Sequence, residues 1–184
     1  MPSVNLKQLK DLLIDTTIQI TGLDTQHVLN AYQPDSAPFN EQAVNAAYLY
    51  VYQIDSNTDK ATYTALTPNT PQAGIATQYY TRMFQCKWTL YGPDSFDLAD
   101  SIRNAMMTEA VREPLSVQGV FPVVGIQAPT RMPEQINNQW WERSDLKINL
   151  SVYTEHSADQ PYFSSASVGI KESGGDSELI IIQP

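Results

Sequence analysis

Asp94, Asp97 and Asp100 repeat at intervals of three residues, and such a cluster suits a hard cation, which is held by several converging oxygens. On a helix Asp97 and Asp100 approach one another, yet carboxylates in a first turn are what the helix dipole favours without any metal. Asp94, Asp97 or Glu142 could also act as general acid or base, provided a pocket matched their pKa values. His27 and His156 stand in polar surroundings far apart in sequence, and no Ser or Cys lies in a nucleophile motif. Cys86 is the sole cysteine, so an internal disulfide is excluded, and no Cys/His group has zinc-ligand spacing. The expectation is a chain without enzymatic activity, cofactor or metal.

Trp140-Trp141 is the sharper pattern. Adjacent residues on a strand point to opposite faces, so one core cannot easily bury both rings. Trp and Arg are the side chains most enriched at interface hot spots. Arg131, Trp140, Trp141 and Arg143 sit in or beside one loop and strand start, and with Arg82 they are the interface candidates. The competing reading is that one ring packs inside the subunit while the other covers a sheet edge. A carbohydrate platform built on Trp140 and tyrosines is a further alternative.

The elements that position these residues follow from patterning within 184 residues, enough for one domain that buries roughly 70% of its unfolded surface. The formal net charge of −9 disfavours non-specific duplex binding, which relies on Lys and Arg. No apolar run approaches the roughly 20 residues of a spanning helix, and no basic-then-apolar leader opens the chain, so a soluble, cytoplasmic protein is expected.

Ser3 can cap a first helix with Leu6, Leu9, Leu12 and Leu13 on one face, ending before Thr21-Gly22. Residues 33–45, with Pro34 and Pro38, read as an exposed connection. Ala47 to Ile54, crowded with Tyr48, Tyr50 and Tyr52, reads as a strand, and Asp55-Ser56-Asn57 as a turn. Thr67 to Gly74, with Pro68 and Pro71, reads as a loop before a strand over about 77–91. In that strand Tyr80, Arg82, Phe84, Cys86, Trp88 and Leu90 form the better core face, with Arg82 at its solvent end.

Leu90-Tyr91-Gly92-Pro93 joins this strand to a helix that should run to about Val111, closed by Glu113-Pro114. Val120 to Ile126 is a short apolar strand that Pro122 assigns to an edge or a bulge. A long loop over 128–139 precedes the cleanest alternation in the chain, with Leu146, Ile148, Leu150 and Val152 on one face. Leu179 to Ile182 reads as a closing strand or an arm that pairs with another subunit.

In this order, Thr21-Gly22-Leu23, Leu90-Tyr91-Gly92-Pro93 with Asp97, Ala99 and Ile102, and Trp141-Glu142-Arg143-Ser144-Asp145-Leu146 resemble the phage neck and tail terminator proteins. The resemblance implies an α/β (α+β) fold in which a mixed, mainly antiparallel sheet is packed by two main helices. One domain is expected over 1–184, with a C-terminal extension or arm at about 161–184, where the chain departs from the family's pattern, as it does over 33–45. The resemblance also implies a virion structural protein, assembled in the host cytoplasm, that forms a hexameric ring at the neck. Its partners would be further copies of itself, the tail tube protein, the head connector or adaptor and sheath proteins. Genomic DNA would pass through the lumen without specific binding, and no membrane would be involved. The alternatives are a carboxylate-dependent hydrolase and a carbohydrate-binding module.

Overall fold

A reciprocal capping box between Asn5 and Gln8 starts the first helix of the computed structural model, which describes residues 4–32, 44–54, 60–70, 73–161, 166–171 and 177–182. Each backbone N–H donates to the other's side-chain oxygen at 2.9 Å, which satisfies two donors that a helix start leaves open. The helix α1, Leu6–Thr21, is therefore capped at Asn5 and not at Ser3, which lies outside the described residues. Gly22, at φ +69°, ends it in the left-handed conformation. Leu9 and Leu13 are buried, whereas Leu6 is exposed.

The sheet grows from strands β1 (Val28–Asn30), β2 (Ala46–Gln53), β3 (Lys60–Thr70) and β4 (Ala73–Tyr91). β1 runs parallel to β2, and β2 antiparallel to β4, with Ala46 opposite Tyr91 and Gln53 opposite Phe84. β3 pairs with β4 and continues through Pro68, so Thr67–Thr70 is strand where the prolines suggested a loop. After two helices come β5 (Val120–Pro122), β6 (Thr130–Arg131), β7 (Glu134–Ile136), β8 (Gln139–Trp141) and β9 (Arg143–Pro161). The main order is β1-β2-β4-β9-β5, with β6 also on β9. Side-chain pairs Gln85–Asn149 and Lys87–Asp145 run in opposite directions along β4 and β9, as an antiparallel pair requires.

Pro122 sits on the outermost strand, as its missing N–H demands. Tyr153 N–H donates to the Gly119 carbonyl and Val123 N–H to that of Asn149. Odd-numbered residues therefore face β9, and Pro122 faces the free edge, where it removes a donor.

Contacts divide the chain into two compact units, one of residues 1–60 and 80–154 and the other of residues 61–79 and 155–184. The second holds β3, the start of β4, the end of β9, and a hairpin of β10 (Ala166–Lys171) and β11 (Ser177–Ile182). In that hairpin Ala166 lies opposite Ile182, so the C-terminal apolar run is a strand that pairs with β10 in a two-stranded sheet of its own. The expected turn at 55–57, residues 33–43 of the polar connection, and 162–165 and 172–176 of the C-terminal stretch lie outside the described residues.

In the first unit helices cover one face of the sheet. Leu49, Val51, Phe84, Cys86, Trp88, Leu90, Leu146, Ile148, Leu150 and Val152 project to that face, as the alternation predicted, and meet Leu9, Leu13, Ala99, Ile102, Met106 and Leu115. Fully buried Trp88 donates its indole N–H to Thr17 Oγ1 at 2.9 Å, tying α1 to β4, while the Thr17 hydroxyl donates to the Leu13 carbonyl.

The single helix expected from Pro93 to Val111 is two: α2 (Ser95–Ala105) and α3 (Glu109–Val117), broken at 106–108. Buried Leu115 anchors α3 beyond the expected stop. Pro114 lies inside α3, exposed, where water can satisfy the carbonyl it leaves unbonded. Before α2, Gly92 holds φ +111°, and a Cβ there would lie 2.4 Å from Asn45 Oδ1 and 2.7 Å from Asn45 Cα. Asn45 reaches this turn with Oδ1 accepting from Asp94 N–H at 3.1 Å and Nδ2 donating to Asp94 Oδ2 at 2.9 Å.

Candidate functional site

The sheet's other face carries the tyrosines of β2, Tyr48, Tyr50 and Tyr52, beside Lys87, Thr89 and Tyr91 of β4 and Asp145, Lys147 and Asn149 of β9. These positions alternate with the buried ones, so the strand period alone places them there. Tyr50 stacks on Tyr52 at 5.2 Å, and Tyr52 hydroxyl donates to Gln85 Oε1.

The β7–β8 hairpin is fixed beside Tyr91 of this face. Asn137 and Asn138, at φ +51° and +60°, form its two-residue turn, the left-handed pair that matches strand twist in a tight hairpin. Glu134 opposes Trp141, and Gln135 opposes Trp140. Cross-strand partners share a face, so the Glu134/Trp141 side turns inward and the Gln135/Trp140 side outward. Trp141 stands edge-on to Tyr91, with centroids 6.4 Å apart, while Trp140 is 69% exposed. The two rings thus stand on opposite sides of the hairpin, as adjacent strand residues must.

An ionic network anchors the hairpin. Arg143 binds Asp145 through two parallel bonds, Nε to Oδ1 at 2.9 Å and Nη2 to Oδ2 at 3.0 Å, and donates Nη1 to Glu134. Tyr91 hydroxyl donates to the other Glu134 oxygen, and Lys87 Nζ lies 2.8 Å from Asp145. Such bidentate pairs fix geometry as well as charge. Burial works to raise the Asp145 carboxyl, but hydrogen bonds from Arg143 and Lys87 outweigh it and hold the group below the usual carboxylate range. Burial, and then the bond to Glu134, push the Tyr91 phenol up. The Asp145 bonds hold the Arg143 guanidinium protonated. At neutral pH the Asp145 carboxylate and the Arg143 guanidinium are therefore charged beside a neutral Tyr91 phenol.

Of the five interface candidates, Arg131, Trp140, Trp141 and Arg143 come together here. Arg131 pairs with Glu142 at 2.8 Å at the exposed base of the hairpin. Arg82 lies apart, further back along β4 on the core-side row. Its guanidinium covers the Tyr80 ring, 5.2 Å from the centroid, and donates Nη2 to the Tyr80 hydroxyl. Buried Nε has no acceptor among the described residues. Glu134, Tyr91, Asp145 and Lys87 are site members that the sequence reading missed. Asp94 contacts Asn45, whereas Asp100 contacts Arg103 and Asn104, so these two carboxylates are engaged separately.

A recess of about 270 Å³ beside the hairpin is lined by Tyr32, Tyr48, Tyr50, Lys87, Tyr91 and Arg143, among others. Its walls are aromatic rings and the paired cations Lys87 and Arg143. No helix among the described residues is long and apolar enough to cross a membrane.

No curated protein matches this chain. The profile of the phage neck terminator proteins matches residues 6–175, nearly the whole length. With its α+β fold of mixed, mainly antiparallel sheet, the chain belongs to the phage neck terminator protein family and is a structural protein of the phage neck.

Proposed function

We propose that the chain assembles as a hexameric ring that ends the tail tube and joins the tail to the head connector. The observation that carries this reading is Trp140, a large aromatic ring held exposed on a hairpin whose other face is fixed by Arg143, Glu134 and Asp145. A rigid, preorganised aromatic loses little entropy on docking, which is what makes an interface anchor effective. Repeated head-to-tail contact closes into a ring when its rotation closes, and a ring can cap a tube of matching symmetry. Arg82, which has no carboxylate partner among the described residues, is a second and separate contact candidate. Tail tube, connector and sheath proteins are the partners of this reading, and assembly takes place in the host cytoplasm.

The ring's lumen passes the genome without binding it. Twenty Asp and Glu against eleven Lys and Arg suit a wall that repels phosphate. The inner wall of the assembled ring should carry more Asp and Glu than Lys and Arg, and a wall rich in Lys and Arg would refute the sliding argument. The reading as a whole is tested by light scattering at high concentration together with capture by tail tube and connector proteins. A ring-sized particle that binds either protein supports it. A strict monomer that binds neither overturns it.

A further inference from the structure

Arg82 stands apart from the hairpin, among donors that have nothing to donate to. Its guanidinium lies over the Tyr80 ring, 5.2 Å from the centroid, and gives Nη2 to the Tyr80 hydroxyl at 2.9 Å, so the strand that carries it also fixes its pose. Its Nε is buried without an acceptor, and the Thr154 hydroxyl, on a residue only 8% exposed, is likewise without a partner among the described residues. The two belong to one patch. Gln85 meets Asn149 at 3.0 Å, and Thr77 meets Ser157 at 3.0 Å. Both pairs fit one antiparallel register, in which Thr154 of β9 stands opposite Tyr80 of β4 on the core-side row. The guanidinium, reaching back over Tyr80, therefore lies toward the Thr154 hydroxyl. Among the described residues no carboxylate pairs with Arg82.

We infer that Tyr80, Arg82 and Thr154 form a binding site for one carboxylate. A buried guanidinium N–H and a buried hydroxyl are costly to leave unpaired. The missing partner must be an acceptor, because the Tyr80 hydroxyl already accepts from Nη2 and keeps its own proton to give. A carboxylate offers two oxygens with about four lone-pair sites, enough for Nε–H on one and the hydroxyl donors on the other. Charge decides between anions. These three residues bring a single cation, which one carboxylate neutralises, whereas a phosphate monoester would leave a large part of its second negative charge uncompensated. Water satisfies a hydroxyl but leaves the guanidinium charge unpaired. Arg82 and Tyr80 are only half-buried, so the patch is reached from outside. The carboxylate arrives free in solution or on an acidic side chain of another copy, each chain having twenty Asp and Glu against eleven Lys and Arg. The inference rests on the reading of Arg82 as a contact residue and does not need the ring.

Thermal unfolding of the full chain in sodium acetate and in sodium chloride, matched for pH and ionic strength, tests the site with acetate as the probe. Acetate should raise the wild-type midpoint above that in chloride, and the rise should saturate. Arg82→Gln should abolish the difference. Thr154→Val should weaken the apparent acetate affinity by about fivefold, as the loss of one hydrogen bond does, and it decides the matter if Arg82→Gln does not fold. Light scattering of the same samples separates the two sources. Self-association that falls by about tenfold or more in Arg82→Gln, and that acetate competes away in wild type, supports the site with its carboxylate on another copy. An acetate shift with self-association unchanged supports it for a free carboxylate. Equal midpoints in acetate and chloride, with Arg82→Gln associating like wild type, overturn the site and leave a ring-sized particle, if there is one, intact. A shift retained in both variants is a bulk salt effect and overturns it too. Sodium phosphate that matches the acetate effect overturns the choice of a carboxylate. A monomeric wild type whose acetate shift is lost in Arg82→Gln upholds the site and overturns the ring.

Discussion

Trp140 and Trp141 are neighbours in sequence and opposites in environment: Trp141 packs edge-on against Tyr91 at 6.4 Å, while Trp140 projects 69% exposed from the other face of the same hairpin. The two rings should therefore separate assembly from stability. W140A is expected to unfold within about 0.5 kcal/mol of wild type and to lose self-association or partner capture. W141A is expected to cost about 2 kcal/mol, because a half-buried aromatic leaves a partial cavity. Chemical denaturation run beside light scattering checks both. Equal effects on both readouts would show that the hairpin does not divide these roles.

Asp145 gives the hairpin a defined acid response. Its folded pKa lies below the ordinary value near 3.9, so its contribution is fully present above about pH 4 and is lost as pH falls through the lower folded value. D145N should cost about 1–3 kcal/mol at neutral pH, since Lys87 loses its carboxylate partner and Arg143 keeps only Glu134. The gap between wild type and D145N should narrow below about pH 4. Denaturation curves between neutral and acid pH measure it, and a gap that widens on acidification contradicts the assignment.

Thr17 is the hinge pin between α1 and the sheet. Its hydroxyl accepts from the buried Trp88 indole and donates to the Leu13 carbonyl. T17A leaves that indole N–H without its acceptor at full burial, so a loss of about 1–3 kcal/mol is expected. T17S retains the hydroxyl and should recover most of it. Thermal unfolding of the pair decides the matter, and equal losses would point to the methyl rather than the bond.

Gly92 allows no side chain, because its φ is +111° and a Cβ would press on the Asn45 backbone at 2.7 Å. G92A should destabilise by about 2 kcal/mol or more. N45G in the same background relieves the Oδ1 contact but not the backbone one, so it should rescue only part. Full rescue would show that the side-chain contact alone forbids alanine.

The fold was legible wherever one period governed a long stretch. Alternation in β4 and β9 placed Trp88, Leu90, Leu146 and Ile148 on the buried face, because a two-residue period leaves only one choice of side. Pro122 announced an edge for the same local reason. The break between α2 and α3 was not legible, since the helical spacing of apolar residues carries across it and Leu115 is held by tertiary packing. The β7–β8 hairpin falls in a stretch whose prolines and amides read as loop, although Asn137-Asn138 between Ile136 and Gln139 is a two-residue turn signal. At the site, the opposed tryptophans followed from strand geometry, but Glu134 meets Tyr91, and Asp145 meets Lys87, only after the chain has folded 43 and 58 residues back on itself. No local pattern encodes that register.

A density map of the intact virion neck would show whether this chain forms a ring there through exposed aromatic contacts. Six copies should form a closed ring at the end of the tail tube, with each Trp140 buried against a neighbouring protein. Copies that form no ring, or a ring in which Trp140 faces solvent, would contradict it.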